Sequence, residues 1–470
     1  MAPSAAGRAT DSTGSRGARP WHPRRVRIAL LSWLLVACGA GAPEAAPAPD
    51  PLAGLSRGSD AWILAHAPLY VEGDRASRHA VLEASLTSHD NAYARVRLAS
   101  YAIPTGGWDG LPEWRPRTRP LEERDLAALA AGVPELGDAQ PLPAAPEGRD
   151  WEAWRALGER VFFELPLRAE PSLRVPLASP SARDALGLEV ILGRVPGVVV
   201  FAGIDGRTEL GMTCALCHAA REGERLVPGR ARRALDFGRL RLAAAEARGP
   251  AEERLRERYL SWGPGRADVL EQLSEVPIAI PDLWALRDVR HFTQAGTITH
   301  VSPIALAIRQ ETQFIQAGHL ATRPPRTLMF ALVVYLYSLA PPARAATPPR
   351  ADAERGAMVF ARECGRCHGA RGYTGDLVPL AEIGTHPELG GTEARGTGHY
   401  RPQPLIDVRD AAPYLHHGVV PTLNDLLWPE RLAETYERGR GGPGPIPGHA
   451  YGLALPEADR TALLGHLDTL

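Results

Sequence analysis

Two copies of the pattern Cys-x-x-Cys-His constrain this chain more than any other feature. The first copy is CALCH at residues 214–218, and the second is CGRCH at residues 364–368. In this pattern two thiols attach a c-type haem covalently, and the adjacent imidazole becomes a ligand of its iron. The sequence therefore predicts two covalently attached haem c groups. The four thiols and two proximal imidazoles that would hold them are Cys214, Cys217, Cys364, Cys367, His218 and His368.

Other uses of paired cysteines fit the pattern poorly. A zinc ribbon places its two Cys-x-x-Cys pairs much closer together than these two. A thioredoxin-like redox motif would leave the histidine that follows both copies unexplained. Haem attachment accounts for all of these residues and predicts redox chemistry or electron transfer.

The fifth cysteine, Cys38, completes a predicted export signal. Arg24, Arg25 and Arg27 precede a short apolar run that ends at Ala37 and is too short to span a bilayer. The segment Leu-Val-Ala-Cys at 35–38 resembles a bacterial lipobox, in which the cysteine is acylated. We expect a periplasmic lipoprotein anchored through Cys38, with the outer membrane slightly favoured. The alternative is an ordinary cleavable signal peptide.

The net charge of the chain bears on which macromolecules it is expected to bind. The 53 basic residues are all arginine and are balanced by 54 acidic residues, which gives a net charge of −1. This balance predicts no nucleic-acid partner and no electrostatic attraction to a membrane surface. A small redox protein that donates or accepts electrons would dock against arginine instead of lysine.

Composition and pattern predict a mainly α fold with two cytochrome c-like haem domains and an N-terminal, mostly helical region of unknown role. The predicted organisation comprises six segments: a lipoprotein signal peptide (1–37), a flexible tether (38–60), an N-terminal accessory region (61–180), a first cytochrome c-like domain (181–340), a linker (341–351) and a second cytochrome c-like domain (352–470).

Hydrophobic periodicity predicts individual elements within these segments. A β-branched run followed by Asp-Gly predicts a hairpin with strands at 195–204 and 208–212. Apolar residues at helical spacing predict helices at 121–131, 151–165, 241–262, 327–339, 353–360 and 456–470.

The second haem region contains no methionine between its motif and residue 470, so its iron is expected to take a second histidine. The segment PYLHHGVVPTL at 413–423 resembles bacterial di-haem cytochrome c peroxidases and their MauG-like relatives, and is closer still to the rubber oxygenase branch. GHAYG at 448–452 is similar to a GHxxG segment of that branch. The resemblance implies His449 as the sixth ligand, with His416 as second choice; a packing role for His416 and His417 is the alternative.

The sequence does not decide whether the iron of the first haem has a sixth protein ligand. In the peroxidase family a distal Glu or Gln helps to break the O–O bond and a Trp couples the haems, so the resemblance implies catalytic roles for Glu311 and Trp284. His300 is the alternative, as a second axial ligand that would close the site. The other distal candidates are His291, Phe292, Gln310 and His319.

These residues predict an exported di-haem cytochrome. An open first haem would reduce hydrogen peroxide or carry out a related oxidation, with the second haem passing electrons. Six-coordinate iron at both sites would instead give a non-catalytic electron carrier. An oxygenase is a third reading, which the chain length disfavours.

Overall fold

The computed structural model describes residues 51–102, 107–246, 249–267, 277–343 and 352–470. The predicted signal peptide, Cys38 and most of the predicted linker lie outside the described residues. Residues 51–470 group into one unit by their internal contacts. The boundaries predicted within that unit remain predictions.

Eighteen α-helices lie in these ranges, and they are α1 Asp60–Leu64, α2 His66–Val71, α3 Arg75–Ser85, α4 Ala92–Ala102, α5 Trp151–Glu164, α6 Arg174–Ala178, α7 Pro180–Leu186, α8 Ala215–His218, α9 Phe237–Glu246, α10 Glu253–Trp262, α11 Pro303–Ala317, α12 Arg326–Ser338, α13 Ala353–Glu363, α14 Gly365–His368, α15 Leu380–Ile383, α16 Glu388–Gly391, α17 Leu423–Leu426 and α18 Glu457–Leu467. Seven short 3₁₀ turns connect them at Gly107–Gly110, Glu123–Asp125, Ala128–Ala130, Pro171–Leu173, Arg371–Tyr373, Val408–Asp410 and Pro429–Leu432.

Twelve strands accompany the helices, and they are β1 Thr118–Glu122, β2 Arg168–Ala169, β3 Arg194–Ala202, β4 Thr208–Met212, β5 Ala219–Glu222, β6 Arg225–Pro228, β7 Arg266–Ala267, β8 Ile278–Ala279, β9 His291–Phe292, β10 Ile298–Thr299, β11 Val378–Pro379 and β12 His399–Tyr400. Four strands form one sheet in the order β1-β3-β4-β2, and the others pair in twos. All pairings are antiparallel.

The prediction of a mainly α fold is wrong, because the described residues are 43% helix and 13% strand and the fold is therefore mixed. The predicted hairpin forms as β3 and β4, with Val198 opposite Met212. It does not stay a two-stranded ribbon: β1 and β2 add to its two edges. Seven consecutive residues of β3 are buried, so the sheet belongs to the core. Long-range strand addition of this kind leaves little trace in local periodicity.

The N-terminal helices pack against α11 and α12. Asp150 caps α5 by accepting the backbone N–H of Ala153 at 2.8 Å. α5 then lies along α12, where Trp154 meets Phe330 edge-on with ring centroids 5.5 Å apart. The apolar side chains of α2, α3, α5, α11 and α12 share one core. The predicted helix at 121–131 is wrong, since this stretch holds the end of β1 and two 3₁₀ turns.

The helices predicted before the second motif and at the end of the chain both form, as α13 and α18. α13 precedes the motif and packs on α18, with Arg355 paired to Asp459 at 2.6 Å. A separate core drawn from residues 359–467 includes Phe360, Leu463 and Leu467. The helix predicted at 241–262 is divided into α9 and α10, because Gly249 and Pro250 stand between them. No helix in the described ranges is long and apolar enough to cross a membrane.

Candidate functional site

The first Cys-x-x-Cys-His motif follows directly from the central sheet. β4 ends at Met212, and α8 then carries the motif residues to His218. The Nδ1 atom of His218 donates to the carbonyl oxygen of Pro281 at 3.0 Å. Burial lowers the pKa of His218 to about 4, so the ring is neutral at pH 7. A neutral imidazole whose Nδ1 is committed to a carbonyl offers Nε2 to a metal, which is the usual arrangement of a histidine ligand.

The second motif repeats this geometry on different elements. α13 ends at Glu363, and α14 delivers His368. The Nδ1 atom of His368 donates to the carbonyl oxygen of Tyr373 at 2.9 Å. Burial again lowers the pKa of this imidazole. Both motif histidines are therefore oriented by a backbone carbonyl and leave the same nitrogen available.

The motif cysteines are available for covalent attachment. Cys214, Cys217, Cys364 and Cys367 are all free of disulfide bonds. Burial raises the pKa of the Cys214 thiol to about 11, and it raises that of Cys364 to about 11 as well. Neither group is tuned to be a thiolate nucleophile of a redox enzyme, which would need a depressed pKa.

Each motif opens into its own large cavity. We call the space beside residues 214–218 the first cavity and the space beside residues 364–368 the second cavity. The first has a volume of about 1940 Å³ and the second about 1640 Å³. Both volumes include space that is open to solvent. No group of three or more His, Cys, Asp or Glu side chains in the described ranges is placed to hold a metal ion by itself. Large cavities with one oriented imidazole each fit a macrocycle that brings its own equatorial donors, as haem does.

The two cavities share a wall. Residues that line both are Ala279, Ile280, Pro281, Asp282, Trp284, Gln294, Arg401 and Pro404. Trp284 is only 2% exposed, and Arg230 lies over its ring with the guanidinium carbon 5.7 Å from the centroid. Trp284, predicted to couple two haems, therefore lies between the two motifs.

His449 lines the second cavity together with His368. Its Nδ1 atom is buried and makes no hydrogen bond to the described residues, and burial lowers the pKa of its imidazole to about 4. The backbone of His449 has a φ of 46°, a left-handed conformation that costs a non-glycine residue about 1–2 kcal/mol. Strained backbone of this kind concentrates at functional sites.

The surrounding chain holds His449 in that conformation. Its backbone N–H donates to the carbonyl oxygen of Ile383 at 2.7 Å. The buried guanidinium of Arg431 donates to the carbonyl oxygens of Gly448 and His449, at 2.7 and 3.0 Å. Gly448 has a φ of 85°, and a Cβ there would lie 2.2 Å from the backbone nitrogen of Thr385. The loop position of His449 is thus specified by its neighbours.

His416, the second choice, also lines the second cavity. Its ring stacks between Tyr400 at 4.1 Å and His417 at 4.4 Å, measured between ring centroids. Its Nε2 atom is buried and makes no hydrogen bond to the described residues. Burial lowers the pKa of His416 to about 2. A ring held on both faces by aromatic neighbours fits the packing role that was the alternative for this pair.

The first cavity has a different lining. Among the described residues that line it, His218 supplies the only imidazole. α11 contributes Arg309, Gln310 and Gln313 to the same cavity. Met212, which also lines it, pairs within the sheet next to the motif. Glutamine and arginine are poor iron ligands but good hydrogen-bond donors.

His300, the candidate for a sixth ligand of the first haem, has both ring nitrogens engaged. Nδ1 donates to the carbonyl oxygen of Val289 at 2.8 Å, and Nε2 accepts from the hydroxyl of Tyr337 at 2.7 Å. It is not among the described residues that line the first cavity. His300 thus packs behind Phe292, which does line the first cavity, and its role as a ligand stays a prediction.

Glu311 is also directed away from the first cavity. Its carboxylate is fully buried, pairs with Arg326 at 2.9 Å and accepts the hydroxyl of Tyr70 at 2.9 Å. Arg326 in turn pairs with Asp109, which also pairs with Arg78. Glu311 is thus part of a buried ionic network between α2, α3, α11 and α12. The neighbouring residue on α11, Gln310, faces the cavity instead.

Sequence reasoning did not single out Gln313 or Arg401. Gln313 follows Gln310 at a spacing of three, which places both on one face of α11, and this signal was present in the sequence. Arg401 carries no such signal, because its position in the shared wall depends on contacts with residues more than a hundred positions away.

Comparisons with known proteins add little. No family model matches the chain, and no curated protein matches it. Among solved structures, the chain is weakly similar to a MauG-like protein associated with microbial copper homeostasis, at 16% identity and a TM-score of 0.27. That match covers 46% of this chain and 81% of the other.

Proposed function

We propose that this chain is a di-haem c-type redox protein with two unlike haem sites. The observation that carries the proposal is the difference between the cavities. The second holds His449 and His416 in addition to His368, whereas the described lining of the first offers His218 alone as an imidazole. This asymmetry supports a six-coordinate second haem and a first haem with one open axial position.

The reaction that fits this asymmetry is peroxide reduction or a related oxidation in the first cavity. A bound haem would supply a redox-active iron there. Hydrogen peroxide takes up two electrons and two protons and leaves as two molecules of water. The amides of Gln310 and Gln313 can hold peroxide by hydrogen bonds, and Arg309 adds positive charge beside them. The protons would come from solvent in the cavity, since Glu311 is committed to Arg326.

Electrons would enter at the second haem and cross the shared wall. A His/His iron has no position for substrate, so electron transfer is the function left to it. Trp284 lies in the wall between the cavities, and it is the aromatic group that we propose for their coupling. We further propose a small redox protein as the electron donor, and export to the periplasm with a lipid anchor at Cys38.

Ferric-state spectroscopy of the holoprotein tests the proposal. A pyridine haemochrome of denatured protein should first show two covalently bound haems per chain, and Cys364→Ala should remove one. The native ferric protein should then show one low-spin and one partly high-spin haem, with cyanide binding to the latter. His449→Gly should convert the low-spin haem to high-spin. His416→Gly, changed in the same cavity, should leave both spin states unaltered.

Two low-spin haems that ignore cyanide and peroxide would contradict an open first site. The chain would then be the non-catalytic electron carrier that was the alternative. Loss of the low-spin signal in His416→Gly, with His449→Gly unchanged, would instead assign the sixth ligand to His416. Haem that dissolves into acid acetone would refute covalent attachment and the proposal with it.

A further inference from the structure

A half-buried arginine in the shared wall, Arg401, has a donor nitrogen that the described residues do not use. The Nε atom of Arg401 donates to the carbonyl oxygen of Thr293 at 3.1 Å, and Nη2 donates to Oε1 of Gln403 at 2.8 Å. Its Nη1 atom is buried and makes no hydrogen bond to the described residues. The side chain lines both cavities.

No carboxylate of the described residues pairs with this guanidinium. The two oxygens that accept hydrogen bonds from the guanidinium are neutral: the backbone carbonyl of Thr293 and the side-chain amide of Gln403. Burial alone lowers the pKa of Arg401, to about 10, so the group is still a cation at pH 7. Nearby arginines differ: Arg233 pairs with Asp282 at 2.7 Å, and Arg230 pairs with Asp407 at 2.6 Å. Removing a cation from water without pairing it with an anion is unfavourable, so an anion in the cavities would stabilise this guanidinium.

The orientation of Arg401 is fixed before any such anion arrives. Its backbone N–H donates to the carbonyl oxygen of Gln294 at 3.0 Å. Gln403, which accepts from its Nη2, also donates to the side-chain oxygen of Gln294. Gln294 itself lines both cavities. The guanidinium is therefore anchored from two directions, and Nη1 is the part left over for a ligand.

We propose that Arg401 binds the propionate carboxylates of both haems, so that one protein cation serves the two cofactors. This inference rests on the proposed function, because haem is the group that would bring carboxylates into both cavities. The Nη1 atom carries two N–H groups, and each can donate a charge-assisted hydrogen bond to a carboxylate oxygen of a different haem. A shared ion pair also gives the two irons a common electrostatic influence, since a nearby positive charge favours the less positive, ferrous state of each.

Potentiometric titration of the holoprotein tests this, with the two haems followed separately by their low-spin and high-spin bands. Arg401→Gln should lower both midpoint potentials. We expect at least a tenfold rise in the ferric-to-ferrous ratio at fixed potential for each haem, which corresponds to about 59 mV. Arg401→Lys keeps the charge but loses the planar fork, so it should restore most of both shifts.

A matched control is Arg266→Gln. Arg266 is buried, burial also lowers its pKa to about 10, and it donates to the backbone oxygens of Ser261 and Arg440. It is not among the described residues that line either cavity. Its loss should move both potentials less than Arg401→Gln does. Equal shifts in the two variants would show a general effect of buried charge and would overturn the proposal.

Two further results would also overturn it. One is an Arg401→Gln protein that still carries two haems but in which the midpoint potential of only one haem, or of neither, has shifted. The other is a wild-type potential that depends on added chloride or phosphate, with the dependence lost in Arg401→Gln, because the anion would then be an exchangeable solute. If Arg401→Gln does not fold, Arg401→Lys decides: resonance Raman propionate-bending bands should move at both haems. Fewer than two haems in the wild type would contradict the proposed function itself, and the haem count shows this separately.

Discussion

The contact between α13 and α18 offers a sharp test of how the second haem region is held together. Gly356 lies on α13, where a Cβ would fall 2.2 Å from the carbonyl oxygen of Ala462 and 2.9 Å from Cβ of His466. The obstacle is helix backbone, which cannot swing aside as the end of a side chain can. Gly356→Ala therefore forces the two helices apart.

The size of the effect follows from two opposing contributions. Replacing glycine by alanine within a helix stabilises it by about 1 kcal/mol. Overfilling a packed contact costs about 1–3 kcal/mol, and a backbone obstacle favours the upper half of that range. We expect Gly356→Ala to lower the free energy of unfolding by about 1–2 kcal/mol.

Gly365→Ala is the matched control. A Cβ at Gly365 would meet its nearest atom, the carbonyl oxygen of Phe360, at an ordinary 3.8 Å. The first motif already carries alanine, Ala215, at the equivalent place. Urea titrations of the holoproteins, followed by far-UV circular dichroism and by the absorbance of the second haem, should show a lower midpoint at unchanged slope for Gly356→Ala only. Equal stability of Gly356→Ala and wild type would refute the close-approach argument.

Three further predictions concern other parts of the chain. Glu311→Gln breaks a buried ion pair with Arg326 and should destabilise the fold by about 3–5 kcal/mol in urea titration; unchanged stability with slower peroxide turnover would instead support the acid–base role inferred from sequence. Burial lowers the pKa of His300 to about 4, so between about pH 6.5 and 4 the unfolded chain binds a proton that the folded chain does not, and the free energy of unfolding should fall as the pH drops through this range. His300→Asn should remove up to about 3 kcal/mol of that fall. An unaltered pH dependence in His300→Asn would count against the buried neutral ring. Cys38→Ser should release the protein from membranes into the soluble fraction, whereas a wild type already soluble after fractionation would argue against acylation.

Local sequence was sufficient to predict motifs and secondary-structure elements whose residues are close together in the chain. The two Cys-x-x-Cys-His motifs are evident in the sequence, since both thiols and the imidazole lie within five residues. The hairpin at β3 and β4 and the helices α5, α12, α13 and α18 were predicted close to their observed bounds, because each carries its own apolar pattern and its own start or stop signals.

Local sequence did not determine the contacts of a side chain that had two plausible partners. Glu311 and Gln310 are adjacent on α11, and a helix turns them about 100° apart. The sequence alone did not show which one faces the first cavity. The orientation of Glu311 depends on Arg326 from the next helix and on Tyr70, which lies 241 positions earlier in the chain. His300 is similar, because its two hydrogen bonds come from Val289 and Tyr337.

The sequence by itself determined the cofactor chemistry to expect: two Cys-x-x-Cys-His motifs, a histidine-rich second half and no methionine after the second motif. Only the tertiary structure decided the class of fold, since β1 and β2 join the hairpin across long stretches of chain. It also decided that both cavities share a wall containing Trp284 and Arg401. The physical reason is that a covalent attachment motif needs only neighbouring residues, whereas burial, ion pairing and the lining of a cavity are set by which distant segments pack together.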